Sequence, residues 1–112
     1  MSAASVALFF IALHMIGDYV TQTNWMAANK LRSGGVRTLH VLIYSIPFWV
    51  LGCLSLPTGE NGILLFVSVF IPHWIIDCRR WASPDPWPPK PIMVDQSLHA
   101  LHLAIIFFCF YG

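Results

Sequence analysis

Three aspartate–histidine pairs, His14 with Asp18, His73 with Asp77 and Asp95 with His99, sit four residues apart, each at one end of a long apolar run. Four residues is about one helical turn, so the members of each pair share one helix face. Ionisable groups in apolar spans are costly to hold away from water unless they pair, face a cavity or serve a function. The chain must therefore fold so that these faces meet.

Composition narrows the fold further. Of the 112 residues, 57% are hydrophobic and 10% charged, where a soluble domain carries roughly a quarter charged residues. This argues against a soluble protein, and the length leaves room for a single domain, 1–112. A net charge of +1 argues against a nucleic-acid binder, which needs a face of uncompensated Lys and Arg. Cys53, Cys78 and Cys109 lack CxxC spacing and read as packed free thiols, not a disulfide frame or zinc knuckle. The opening MSAASVALFFIAL has neither a basic segment nor a cleavage pattern and is expected to be a retained helix.

Apolar runs from about Ala3 to Tyr19, Leu39 to Leu56, Ile63 to Ile76 and Ser97 to Tyr111 predict four helices over about 3–22, 37–56, 62–80 and 95–111. The fold class is all-α, a four-helix transmembrane bundle. Each run falls short of the roughly 20 residues that span a bilayer unless its His/Asp end is counted in, so those ends must face one another or a polar cavity. Gly or Pro punctuates all three connectors. The first reads either as an amphipathic continuation of helix one, with Tyr19, Trp25 and Met26 among Gln22, Asn29 and Lys30, or as a polar loop with an interfacial Trp. Lys30, Arg32 and Arg37 lie in the first connector and Arg79, Arg80 and Lys90 in the third. The positive-inside rule makes that side cytoplasmic and puts both termini on the non-cytoplasmic side.

At 1.5 Å per residue, His14, Asp18, His40, His73, Asp77, Asp95, His99 and His102 all lie ~15–26 Å from the far end, in one slab. Asp95, His99 and His102 form one stripe, and His14, Asp18 and Gln22 another. Pro72 frees the carbonyl of Ser68 and is expected to kink helix three beside the slab.

Imidazole and carboxylate are the ligand set for zinc, manganese or iron, and facing helices can present them to one or two divalent ions. Two ions would clamp a phosphoryl oxygen and activate a bridging water. The expected metal ligands are His14, Asp18, His73, Asp77 and His99, with His40 and Asp95 as ligand or general base. Gln22, Tyr44 and Gln96 would hold the ligands in orientation. Arg79 and Arg80 would meet the charge of a phospholipid headgroup or other phosphoester substrate. These expectations describe a metal-dependent hydrolase acting on a lipid-linked or phosphate-containing substrate.

Blander roles stand beside these. His14 and Asp18 could form a neutralised pair, Asp95 could cap the last helix, and His40 and His102 could be hydrogen-bonded packing residues. A metal-ion or proton conduit would use the same groups but needs a polar path to the other face, where only Ser5, Ser55, Thr58, Glu60 and Ser68 are available. A non-catalytic scaffold, self-associated as a homo-oligomer in the lipid bilayer, is the third class.

The ordered motifs H-x2-G-D-Y-x2-Q (His14, Gly17, Asp18, Tyr19, Gln22), Lys30, L-H-x3-Y (Leu39, His40, Tyr44), H-x3-D (His73, Asp77) and D-Q-x2-H (Asp95, Gln96, His99) resemble the small membrane proteins of domain of unknown function 3307 over nearly the whole chain. The resemblance implies a multi-pass protein of the bacterial inner membrane, from bacteria or their phages, and brings no established activity. A distant similarity to predicted membrane-bound metal-dependent hydrolases, which array His and Asp on short transmembrane helices, implies hydrolysis.

Overall fold

Hydroxyl side chains start most of the helices. Ser2, Thr23, Ser33 and Thr58 accept from the backbone N–H of Ser5, Met26, Val36 and Asn61, satisfying one of the donors that a helix N-terminus leaves free. In the computed structural model, which describes residues 1–79 and 91–112, they open α1 (Ala3–Met15), α2 (Asn24–Asn29), α3 (Gly34–Ser55) and α4 (Gly59–Asp77). The last helix, α5 (Pro91–Tyr111), starts on proline, whose missing N–H costs nothing in a first turn. Asp95 therefore lies a turn inside α5, and the N-cap alternative for it is corrected.

Four stretches are long and apolar enough to cross a membrane: Ala3–Val20, Gly34–Ser55, Gly59–Asp77 and Ile92–Tyr111. Their outward faces carry Leu8, Ile11, Leu54, Leu64, Ile71, Leu101, Ile105 and Phe108, all exposed. α1 packs on α3 and α5, and α4 packs on α3 and α5, giving a square bundle of alternating direction. The 56–58 turn lies at one end, and the 21–33 connector, the end of α4 and the start of α5 lie at the opposite end.

Small residues set how closely α3 and α4 approach. A Cβ on Gly52 would stand 2.9 Å from the Gly62 Cα, and one on Gly62 would stand 2.8 Å from the Cys53 Sγ, so the backbones touch there as small-residue seams allow. Below them, Val6, Phe10, Phe48, Leu51, Leu65, Val69, Leu103 and Ile106 fill the half of the bundle away from the connectors.

Local departures from regular helix occur in the other half. α1 passes into a π-helical turn, Ile16–Val20, closed by the Thr21 N–H on the Ile16 carbonyl at 2.9 Å. Gly17 lies in this turn because a Cβ there would come within 2.3 Å of the Tyr44 ring. α4 runs on through Pro72, and the Ser68 carbonyl that Pro72 deprives of its partner accepts from His102 Nε2 at 2.8 Å. The first connector contains a separate short helix, α2, which buries Met26 and leaves Trp25 exposed.

Candidate metal centre

α1 delivers His14, and its π turn delivers Asp18. His40 and Tyr44 lie in the first turns of α3, His73 and Asp77 in the last turns of α4, and Asp95, Gln96 and His99 in the first turns of α5. Antiparallel packing brings these ends together. Asp18, His40, His73, Asp77, Asp95 and His99 are all buried.

Four atoms converge most tightly. His40 Nε2 lies 3.3 Å from His73 Nε2, 3.2 Å from Asp77 Oδ2 and 3.2 Å from Asp18 Oδ1. His73 Nε2 lies 3.1 Å from Asp77 Oδ2 and 3.7 Å from Asp18 Oδ1. Donors placed about 2.0–2.2 Å from a tetrahedral ion are roughly 3.3–3.6 Å from one another, and these separations lie near that range. Asp18 Oδ1 and Asp77 Oδ2 are buried and accept no hydrogen bond, although imidazole nitrogens stand within ion-pair distance. The two imidazoles instead aim at each other, and at most one of the facing nitrogens can carry a hydrogen.

Asp77 also faces a second group. Its Oδ1 lies 3.1 Å from His99 Nε2, which is 3.2 Å from Asp95 Oδ1. Asp77, Asp95 and His99 could hold an ion, as could His40, His73 and Asp77, or Asp18, His73 and His99. One aspartate thus offers an oxygen to each of two adjoining ligand sets.

Stacking holds the rings. Tyr44 and His73 have centroids 3.9 Å apart, His73 and His99 4.1 Å, and Phe48 stacks on Tyr44 from the core side at 5.5 Å. Ligation through Nε2 puts the ring proton on Nδ1, which in His73 and His99 is buried without an acceptor. That costs about 1–3 kcal/mol per ring, which ligation would have to offset.

His14, expected as a ligand, stands in a hydrogen-bond chain beside these sets. Gln96 Nε2 donates to Asp95 Oδ1 at 3.3 Å and Asp18 Oδ2 at 3.4 Å, leaving its Oε1 to accept from His14 Nε2 at 3.0 Å. His14 Nδ1 must then accept from the Tyr44 hydroxyl, at 2.7 Å. His14 Nδ1 is 3.8 Å from Asp18 Oδ2. Tyr44 and Gln96 therefore touch the site, as expected of groups that orient ligands. Gln22 acts on the main chain, donating to the Asp18 carbonyl at 3.1 Å. Arg79 Nε donates to Asp95 Oδ2 at 3.1 Å from a left-handed backbone, φ 52°, a conformation that costs a non-glycine residue about 1–3 kcal/mol. Arg80 lies outside the described residues.

Lys30, which charge patterning assigned only to the connector, is buried with its Nζ 3.6 Å from Asp77 Oδ2. Arg37 fastens that segment, donating to the Lys30 and Leu31 carbonyls, each at 2.9 Å, while its guanidinium covers the Trp74 ring at 4.6 Å. The only sequence signal for Lys30 was its place among the ordered motifs. His102 bonds Ser68, on the core side of the site.

The chain belongs to the family described as Protein of unknown function (DUF3307), which it matches over residues 6–111. No curated protein and no solved structure matches it.

Proposed function

We propose that this protein is a membrane-embedded, metal-dependent hydrolase whose substrate carries a phosphate and a lipid chain. The observation that carries the reading is the shell formed by His40, His73, Asp18 and Asp77, in which two buried carboxylate oxygens accept no hydrogen bond. Leaving such an oxygen unsatisfied costs more than pairing it, so a set held this way suits a cation. Asp77, Asp95 and His99 would hold a second ion beside the first.

Charge supports an anionic substrate. Among the described residues, Asp18, Asp77 and Asp95 meet two cations at the site, Lys30 and Arg79. With neutral imidazoles the site is one negative charge in excess, and a divalent ion turns that into one positive charge. A bound divalent ion supplies polarisation of a phosphoryl oxygen and an activated water. Lys30, paired with Asp77, and Arg79, paired with Asp95, would meet the remaining oxyanion charge. Lys30, Arg32, Arg37 and Arg79 lie at this end of the bundle, which supports a cytoplasmic placement. The aromatic and aliphatic core fills the other half, which favours a one-sided site over a conduit.

The test is chelation followed by reloading of the purified protein with zinc, manganese or iron, assayed on phosphatidic acid and on a soluble phosphoester. Turnover should disappear, return with metal and be absent from His73→Ala. Stoichiometric metal without turnover of either compound would reject hydrolysis and leave the metal centre standing; a protein that takes up no metal would reject both.

A further inference from the structure

The α1–α5 seam differs from the seam between α3 and α4. Both carry small residues, but where Gly52 and Gly62 bring backbones into contact, Ala7, Ala100 and Ala104 leave an open groove of about 350 Å³, floored by Phe10 and Leu103. In a membrane bundle small residues ordinarily let helices close. Leu8, Ile11, Leu101, Ile105 and Phe108 on the same two helices are exposed, so the groove opens sideways towards hydrocarbon.

One end of the groove is polar. His14 lines it and keeps 12% of its side chain exposed. From His14 the hydrogen bonds run through Gln96 to Asp18 and Asp95. The groove thus ends at a hydrogen-bond chain that leads to the site proposed above, which carries excess positive charge once a divalent ion is bound.

We infer that the α1–α5 groove receives the hydrocarbon chain of a phosphate-bearing lipid, which reaches the metal centre laterally from the bilayer with its headgroup passing His14. This rests on the metal-centre reading for the headgroup and adds the tail site and the direction of approach. An apolar cleft ending at a few polar groups is the common form of a small-molecule site. Ala104 is the control point, because it is a small residue of α5 on the groove wall, where a large side chain would fill the space.

The experiment uses the full chain in nanodiscs, metal-loaded, with a phosphatidic acid that carries a diazirine midway along one acyl chain. Labelled peptides should concentrate on α1 and α5, and Ala104→Trp should lower that labelling at least fivefold while metal content stays unchanged. A diacylglycerol with the same diazirine should label the groove at least fivefold less. If Ala104→Trp fails to fold, Ala100→Leu fills the same space. Labelling spread evenly over the exposed faces of all four long helices, or equal labelling by the two lipids, would overturn the inference. Concentrated labelling in a protein that turns over no phosphoester would uphold the groove and reject hydrolysis. Phosphoester turnover with even labelling would do the reverse.

Discussion

At the end of the bundle away from the connectors, Phe10 meets Phe48, Phe107 and Tyr111 edge-on, and the Tyr111 hydroxyl bonds Ser55 Oγ at 2.6 Å. At the connector end three carboxylates and three imidazoles are buried, and Asp18 Oδ1 and Asp77 Oδ2 meet imidazole nitrogens at ion-pair distance without an aligned hydrogen bond. The first region is arranged for its own stability. In the second, His99 Nε2 hydrogen-bonds Asp77 Oδ1 at 3.1 Å, while the facing Nε2 atoms of His40 and His73 gather against Asp18 Oδ1 and Asp77 Oδ2 and the rings of Tyr44, His73 and His99 stack. Geometry that costs stability and gathers lone pairs is what a ligand site requires.

The largest expected contrast comes from isosteric changes at the two ends. Asp77→Asn removes charge from both ligand sets and should weaken metal binding by about 100-fold or more, beyond the roughly 10–100-fold typical of a lost orienting partner; Tyr111→Phe should leave it unchanged. Equilibrium metal titration of the two variants checks this, and equal affinities would erase the distinction between the ends. Phe48→Ala should lower stability by about 3 kcal/mol through the cavity it leaves, while metal stoichiometry is retained. Denaturation in mixed micelles, with metal analysis of the folded fraction, reads both.

A smaller effect tests the boundary between the regions. His102→Phe leaves the Ser68 carbonyl beside Pro72 without its donor and should cost about 1–3 kcal/mol, with metal binding intact and partial recovery in His102→Gln. Loss of metal in His102→Phe would move His102 into the site. The smallest change is expected from Lys30→Met. Removing a cation 3.6 Å from Asp77 Oδ2 relieves repulsion of an incoming metal, so affinity should rise. The same variant should bind phosphoesters more weakly, a split that a purely structural lysine would not produce.

Helical spacing made much of this legible. His14/Asp18, His73/Asp77 and Asp95/His99 share faces by periodicity, and their matched depth foretold that Asp18, Asp77, Asp95, His73 and His99 would gather. Which atoms meet depends on helix rotation and on ring stacking, which spacing does not report. Spacing alone groups His14 with the ligands, and the fold places its nitrogens against Tyr44 and Gln96. The π turn places Gly17 against the Tyr44 ring of another helix, a tertiary contact with no local signature. Pro72 did announce a freed Ser68 carbonyl, but its partner His102 comes from another helix. Lys30 looked like one more connector cation because nothing in its neighbourhood shows that Arg37 folds the segment inward.

The most direct test of the metal centre is anomalous diffraction from crystals of the full-length protein, recorded at the absorption edge of the metal it retains. The expected result is a peak about 2.0–2.2 Å from His40 Nε2, His73 Nε2, Asp18 Oδ1 and Asp77 Oδ2. No peak among these side chains in crystals soaked with zinc, manganese or iron, with Asp18 and Asp77 instead hydrogen-bonded to the histidines, would contradict it.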